Sequence, residues 1–362
     1  MARTSHKKEH APAYLQLYMQ MRSNIIEGVY PFGSKLPSKR ILAAEAGVST
    51  VTVEHAYALL CDEGYIESRQ RSGYFVCFRT DDGFASTATD VRFSAPAAQQ
   101  PSDAPDFPFS VLTRTMRGVI SDYGHGILQR SPNLGCPQLR SAIARYLARS
   151  RGIHAEPEQI VIGSGAEYLY SLIVSVLGRE RSYGIEFPSY SMIRQVYEAS
   201  GAALQMLPLG SDGIESSALW ASSADVLHIT PYRSFPSGVT ATASKRHEYL
   251  RWAERGKYIV EDDFESEFSV SRKPEETLFS LSGRENVIYM NSFSKTVSAS
   301  LRVGYMVLPK PLLPAFEKSV GFYSCTVPTY IQLVLASILD SGDFERHINR
   351  VRRQKRKELS ER

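Results

Sequence analysis

Cysteine is scarce in this chain of 362 residues: the four present, Cys61, Cys77, Cys136 and Cys325, lie far apart and form no C-x-x-C pair. That spacing excludes a disulfide framework. With no histidine cluster beside the thiols, no metal site is expected, and packed, reduced cysteines are the reading. Long apolar runs are missing too, since no stretch approaches the ~18–20 apolar residues that a membrane span needs. The opening segment, Met1–His10, is polar and basic with no apolar core behind it, so it does not read as a secretory leader. The expected location is the cytoplasm, with no membrane partner. Charge of one sign is also in short supply. Lys and Arg number 42 against 38 Asp and Glu, a formal net charge of +4, too small to argue for or against a nucleic-acid partner.

What is present is an ordinary globular composition, 43% hydrophobic and 22% charged, in a chain too long for one small core. Three zones follow one another, with no internal repeat. Residues 12–79 are dense in helix-period and short-strand signals. Residues 80–105, TDDGFASTATDVRFSAPAAQQPSDAP, are rich in Ala, Ser, Thr, Asp and Pro without apolar period, and read as a linker. Residues 106–362 alternate short apolar strands with amphipathic helices, the pattern of α/β architecture. Near the C-terminus the basic run RVRRQKRK reads as a solvated helix face, with a DNA-contacting tail as the alternative.

In the first zone, Leu15, Tyr18, Met19, Ile25 and Ile26 are assigned to one helical stripe that Gly28 stops. Ser38 is placed to cap a short second helix, KRILAAEA, which ends at Gly47. Ser49 is placed to cap a third, in which Val53, Ala56, Tyr57 and Leu60 share a face. Two helices joined by a glycine-containing turn make a helix-turn-helix pattern. GYIESRQRSGYFVCF then reads as two strands, one ending at Ile66 and one holding Tyr74, Phe75, Val76 and Phe78. The polar turn between them presents Arg69 and Arg71 to phosphate or groove. A plain helical hairpin explains the stripes equally well. The run LPSKRILAAEAGVSTVTVEHAYALLCDEGYIESRQRSGYFV, however, resembles the GntR-type winged helix along its whole length. The resemblance implies double-stranded DNA as partner, with Arg40, Ser49, Thr50 and Thr52 at contact positions. Two departures stand out: Thr50 occupies a position where that family commonly carries Arg, and Arg71 one where it usually has Gly. A bidentate guanidinium contact is therefore missing at the start of the third helix.

In the third zone, DFPFSVLTRTMRG and LGCPQLRSAIARYLARSRGIHAEPEQIVIGSGAEYLYSL resemble fold-type I aminotransferases, in the form joined to GntR-type winged helices and known as the MocR family. The implied fold is multidomain: a winged helix-turn-helix plus an α/β, fold-type I aminotransferase-like domain that takes pyridoxal 5'-phosphate. Such a cofactor needs an amine for its aldehyde, donors for its phosphate and an acid near its ring nitrogen. In ENVIYMNSFSKTVSASLRVGYMVLP, Lys295 is the implied amine, forming an internal Schiff base, and Ser292, Ser294 and Arg302 the implied phosphate ligands. In KYIVEDDFESEF, the strand Tyr258, Ile259, Val260 leads to acids, of which the resemblance assigns Asp262 to the ring nitrogen. In IVIGSGAEYLYSL, strand Ile160–Ile162 is followed by a turn, Gly163 to Ala166, in which Gly165 and Ala166 open a helix toward the phosphate. Tyr190 falls where relatives stack an aromatic ring on the cofactor; a plain surface tyrosine is its bland alternative.

Several matched positions are altered. Phe264 stands where relatives have a cofactor-bonding Tyr, Glu167 where Gln is frequent, and Arg233 and Ser234 in TPYRSFPSG where His-Gln is usual. Relatives continue into a small C-terminal lobe with a carboxylate-binding arginine, whereas this chain ends in the helical pattern HINRVRRQKRKELSER. These changes favour cofactor binding over efficient transamination. The expectation is a homodimeric regulator that senses a small amine or amino acid through the lysine-bound cofactor. The alternatives are a working aminotransferase with an appended DNA-binding module, and a DNA-binding protein whose large domain is a dimerisation scaffold.

Overall fold

A computed structural model describes residues 12–79, 107–254, 256–263, 266–269, 276–283 and 285–360. The stretch read as a linker and the altered position Phe264 lie outside these residues. Contacts divide the chain into two compact units, Met1–Gln99 and Gln100–Arg362. Among the described residues no helix is long and apolar enough to cross a membrane, and no cluster of His, Cys, Asp and Glu is arranged to hold a metal.

The first unit contains α1 (Ala13–Ile26), α2 (Lys39–Ala46), α3 (Thr50–Asp62) and an antiparallel hairpin of β1 (Ile66–Arg69) and β2 (Gly73–Val76). Local chemistry sets the helix ends. Ser38 accepts from the Ile41 amide, and Gly47 closes α2 in the left-handed region at φ 63°, a conformation that carries no Cβ penalty for glycine. Ser49 accepts from the Thr52 amide at the start of α3. Val53, Ala56, Tyr57 and Leu60 are fully buried along one face of α3. On α1 the stripe differs from the sequence reading. Leu17, Tyr18, Met21 and Ile25 are buried, while Met19 is 54% exposed, because spacings of three and four from Tyr18 and Met21 select Leu17 and Ile25. Ile66 opens β1 rather than ending a strand, and Phe78 lies past β2.

The second unit is built on an eight-stranded sheet. Its strands are β3 (Ile160–Gly163), β4 (Ser182–Phe187), β5 (Ala203–Gly210), β6 (Gly213–Ile214), β7 (Val226–Ile229), β8 (Tyr258–Asp262), β9 (Val287–Ser292) and β10 (Gly304–Val307). They run in the order β3-β10-β9-β8-β7-β4-β5-β6, with β10 antiparallel to both neighbours and β5-β4-β7-β8-β9 parallel. Two apolar layers cover the sheet. Ile259 and Tyr289 belong to one, and Val260, Ile288 and Met290 to the other. Ligands of such sheets collect at the carboxyl ends of the parallel strands, and the acids closing β8 and the serine closing β9 stand there. Two helices matter for the site: α4 (Ala166–Leu177), directly after β3, and α5 (Asp343–Ser360). Gly163 is the last residue of β3 and Ala166 the first of α4, so the turn read from the sequence narrows to Ser164 and Gly165.

Candidate functional site

In the first unit the candidate DNA-contacting residues Arg40, Ser49, Thr50, Arg69 and Arg71 are all exposed, and Thr52 is half-buried. Two of the hydroxyls are already engaged. Ser49 Oγ takes the Thr52 amide at 3.1 Å and lies 2.9 Å from Thr52 Oγ1, whereas Thr50 makes no side-chain hydrogen bond among the described residues. Lys39 ties α2 to α3 through Glu54 at 2.6 Å. Arg69 pairs with Glu67 at 2.6 Å and lies over the Phe75 ring at 4.4 Å. Arg71 sits in the tight turn closed by the Ser72 amide on the Arg69 carbonyl, at φ 60°. That left-handed conformation explains why a glycine suits the position and costs about 1–2 kcal/mol for a residue with a Cβ.

In the second unit a cavity of about 510 Å³ is lined by Ala166, Tyr190, Asp262, Ser292, Ser294, Lys295 and Arg302. Of the residues assigned to the cofactor from the sequence, Gly165 is the one that stands outside that lining. A Cβ there would come within 3.0 Å of Arg302 Nη2, and its φ of 105° is one that side chains rarely adopt. Gly165 also leaves the start of α4 without a side-chain cap, so its first amides have no partner in the helix and offer an anion site. Arg302 closes the same corner, itself left-handed at φ 51°. Its guanidinium bridges to Glu167 at 2.7 Å. The carboxylate that stands where relatives often have Gln thus neutralises the cation beside it.

Strand parity selects the acid. Side chains alternate across β8, and Asp262, in register with Met290, lies on the face of Val260 and lines the cavity. Glu261 and Asp263 point into the opposite layer. Asp263 meets Arg151 at 2.8 Å and accepts from Tyr289 OH at 2.7 Å, and Glu261 accepts from the amides of Leu278 and Phe279 and from Tyr232. Burial pushes Glu261 up to about 7.

Four contributors were not singled out from sequence. Tyr170, one turn into α4, donates to Asp262 Oδ2 at 2.6 Å. His228 on β7 brings Nε2 to 3.5 Å from the same oxygen, and its Nδ1 meets Tyr197 OH at 2.7 Å. Helical spacing from Ala166 and alternation along VLHI were the signals available for Tyr170 and His228. Thr230 lines the cavity and donates to buried Glu186 at 2.5 Å, as Ser234 does at 2.8 Å. Ser234 is therefore a buried anchor, while Arg233 faces the cavity. Lys355 is the fourth. The basic run read as a solvated face is only partly so: Phe344, His347, Ile348 and Val351 form the buried stripe of α5, and Lys355, the next residue at helical spacing, reaches the cavity lining. Arg352 donates to the Glu267 carbonyl at 2.6 Å.

An amine, an anion-binding corner and a buried carboxylate in one cavity suit a ligand with an electrophilic carbon, an anionic group and a ring nitrogen. Residues 13–76 match the model of bacterial regulatory proteins of the gntR family, and residues 106–362 that of aminotransferase class I and II, a fold whose members depend on pyridoxal phosphate. The chain therefore joins a DNA-binding winged helix to an aminotransferase-type domain. A regulator of Bacillus subtilis strain 168, the HTH-type protein YdeL, is 36% identical over 96% of this chain and 77% of its own. The probable rhizopine catabolism regulatory protein MocR of Rhizobium meliloti is 31% identical over 94% and 74%. This chain belongs to the MocR family of transcription regulators. Among solved structures, the α-aminoadipate aminotransferase of Thermus thermophilus, complexed with N-(5'-phosphopyridoxyl)-L-leucine, matches with TM-score 0.62 and 28% identity over 70% of this chain and 66% of its own. The chain thus spans about two thirds of the length of the solved enzymes it matches.

Proposed function

We propose that this regulator holds pyridoxal 5'-phosphate on Lys295 and responds to a small amino compound that competes for the same carbonyl carbon. The observation that carries this reading is the convergence of Lys295, Asp262 and the Ala166–Arg302 corner on one cavity from separate segments of the chain. The residues fit the group. The uncapped amides of α4, with Ser292, Ser294 and Arg302, would hold the phosphate. Asp262, backed by Tyr170 on Oδ2, has Oδ1 available for a ring N–H, and Tyr190 would stack on the ring. When bound, the cofactor supplies an aldehyde that takes amines reversibly and a ring that withdraws electrons.

In the first unit, Arg40, Thr50, Arg69 and Arg71 would touch the duplex, with Ser49 and Thr52 fixing the start of α3. Paired copies of this unit would read repeated half-sites, so a homodimer is part of the proposal, as is residues 80–105 acting as a linker in a cytoplasmic protein. A ligand changes DNA affinity only through unequal binding to two arrangements of the protein.

The test is the absorbance spectrum of purified protein with added cofactor, beside Lys295→Ala. Wild type should turn yellow, and borohydride should fix the cofactor to the peptide containing Lys295. Protein that stays colourless, or an adduct on another lysine, refutes the assignment.

A further inference from the structure

The third helix of the first unit, α3, reads TVTVEHAYALLCD and holds neither lysine nor arginine. Basic side chains surround it instead: Lys39 and Arg40 open α2, and Arg69 and Arg71 stand at the hairpin turn. α3 is the second helix of the helix-turn-helix, the one whose first residues meet base edges in the major groove. What those residues present is therefore what the protein reads. Ser49 and Thr52 are spent on each other and on the helix start. Thr50 is exposed, and Val51, 57% exposed, lies outside the core of this unit. One turn on, Glu54 is tied to Lys39 at 2.6 Å, and His55 sets its ring against Tyr14 of α1 at 5.9 Å. The open start of the reading helix thus consists of one hydroxyl and the methyl groups of Thr50 and Val51.

Resting on the reading of this unit as a DNA-binding module, we propose that α3 recognises thymine methyl groups, so that the base pairs beneath Thr50 and Val51 are A·T rather than G·C. In the major groove thymine shows a methyl at C5, which side-chain methyls contact, whereas guanine shows two acceptors that Arg or Lys meets best. α3 has no such donor to offer. A guanine beneath Val51 would lose water at O6 and N7 and gain no bond in return, which is costly. A thymine there buries its methyl against the isopropyl group instead. The cations around α3 are placed for phosphate, whose contacts fix register without reading sequence. Affinity and selectivity therefore reside on different residues: charge on Arg40 and the hairpin turn, base choice on two small side chains.

The test exposes the full chain to a pool of randomised duplexes, from which the bound molecules are recovered and sequenced. Each thymine of the selected site is then replaced by deoxyuridine, which deletes the methyl and nothing else, and binding is measured by gel shift. At one or two thymines the exchange should weaken binding about three- to fivefold, the worth of one buried methyl. Val51→Ala and Thr50→Ser should each abolish the effect at one of those positions and leave the other thymines as they were. Both side chains are exposed, so the variants should melt with the wild type. Thr50→Arg, selected afresh, should replace an A·T pair there by G·C. A wild-type site with G·C at the pairs whose choice shifts in these variants would overturn the proposal. So would a uracil series without effect, or a methyl effect that survives both variants. A chain that retains no duplex from the pool even at low salt refutes the DNA partner itself, and the proposal falls with it.

Discussion

Tyr170 donates a 2.6 Å hydrogen bond to Oδ2 of Asp262, joining the first helix of the cofactor corner to the end of a central strand. Both residues are buried, so removing the phenol leaves Oδ2 of Asp262 short of a protein donor. Tyr170→Phe should destabilise the large domain by about 1–3 kcal/mol, the cost of stripping a buried charged acceptor of its donor. It should also weaken cofactor binding, because Asp262 loses the contact that orients it. Denaturant unfolding with and without cofactor measures both. Unchanged stability together with unchanged affinity would remove Tyr170 from the site.

Glu167 and Arg302 form an ion pair at 2.7 Å in the corner assigned to phosphate. The pair is partly solvent-exposed, with side-chain exposures of 29% and 55%, so its worth is modest. Glu167→Gln releases the guanidinium and removes a like charge from the phosphate. Cofactor affinity should rise about two- to fivefold, the equivalent of ~0.5–1 kcal/mol for a screened pair. The gain should shrink in high salt, and equilibrium dialysis at two salt concentrations reads it.

Arg71 separates stability from binding in the winged helix. Its φ of 60° is strained for arginine, so Arg71→Gly should stabilise the first unit by about 1 kcal/mol. If Arg71 contacts phosphate, the same change should weaken DNA binding across all sequences and flatten the dependence of log K on log salt by roughly one unit. Arg71→Ala keeps the strain and loses the charge, so it should lose affinity without gaining stability.

The layer behind Asp262 makes the large domain sensitive to pH. Burial pushes Glu261 up to about 7 and raises Glu267 as well, and Glu267 Oε2 has no hydrogen-bond partner among the described residues. A carboxyl whose folded value is raised holds its proton more tightly in the native state. It therefore contributes stability that is full below the unfolded value and is lost as pH rises through the folded one. His347 works in the opposite sense. Burial lowers it to about 4, so its contribution is present above the unfolded histidine value and is lost as pH falls. Above pH ~6.5 only the acids change, and stability should fall as pH climbs toward ~8. Melting temperatures across that interval, with Glu267→Gln flattening the slope, check the sign.

How much of this was legible beforehand follows the range of the interactions. Ser38, Gly47 and Ser49 act on amides or dihedrals within a few residues, so the sequence alone located all three. Lys295, Asp262, Ser292 and Arg302 came through resemblance, and the cavity they share depends on strands distant in the chain. Met19 was misassigned because α1 offers apolar residues on adjacent positions, and only the partner helices decide which face is inside. His228 and Lys355 were invisible for a similar reason. A histidine in a strand and a lysine in a basic helical run acquire meaning only when another element brings a carboxylate or an aromatic ring beside them.

The alternation along β8 leaves the large domain intolerant of insertion there. Adding or deleting a single residue between Tyr258 and Asp262 would rotate the acidic triplet by half a turn of the pleat. Asp262 would then be driven among the aromatic rings and Arg151, and a different acid of the triplet would face the cavity. Changes in length should accordingly be confined to the surrounding loops, even where hydrophobicity in the strand is unaltered.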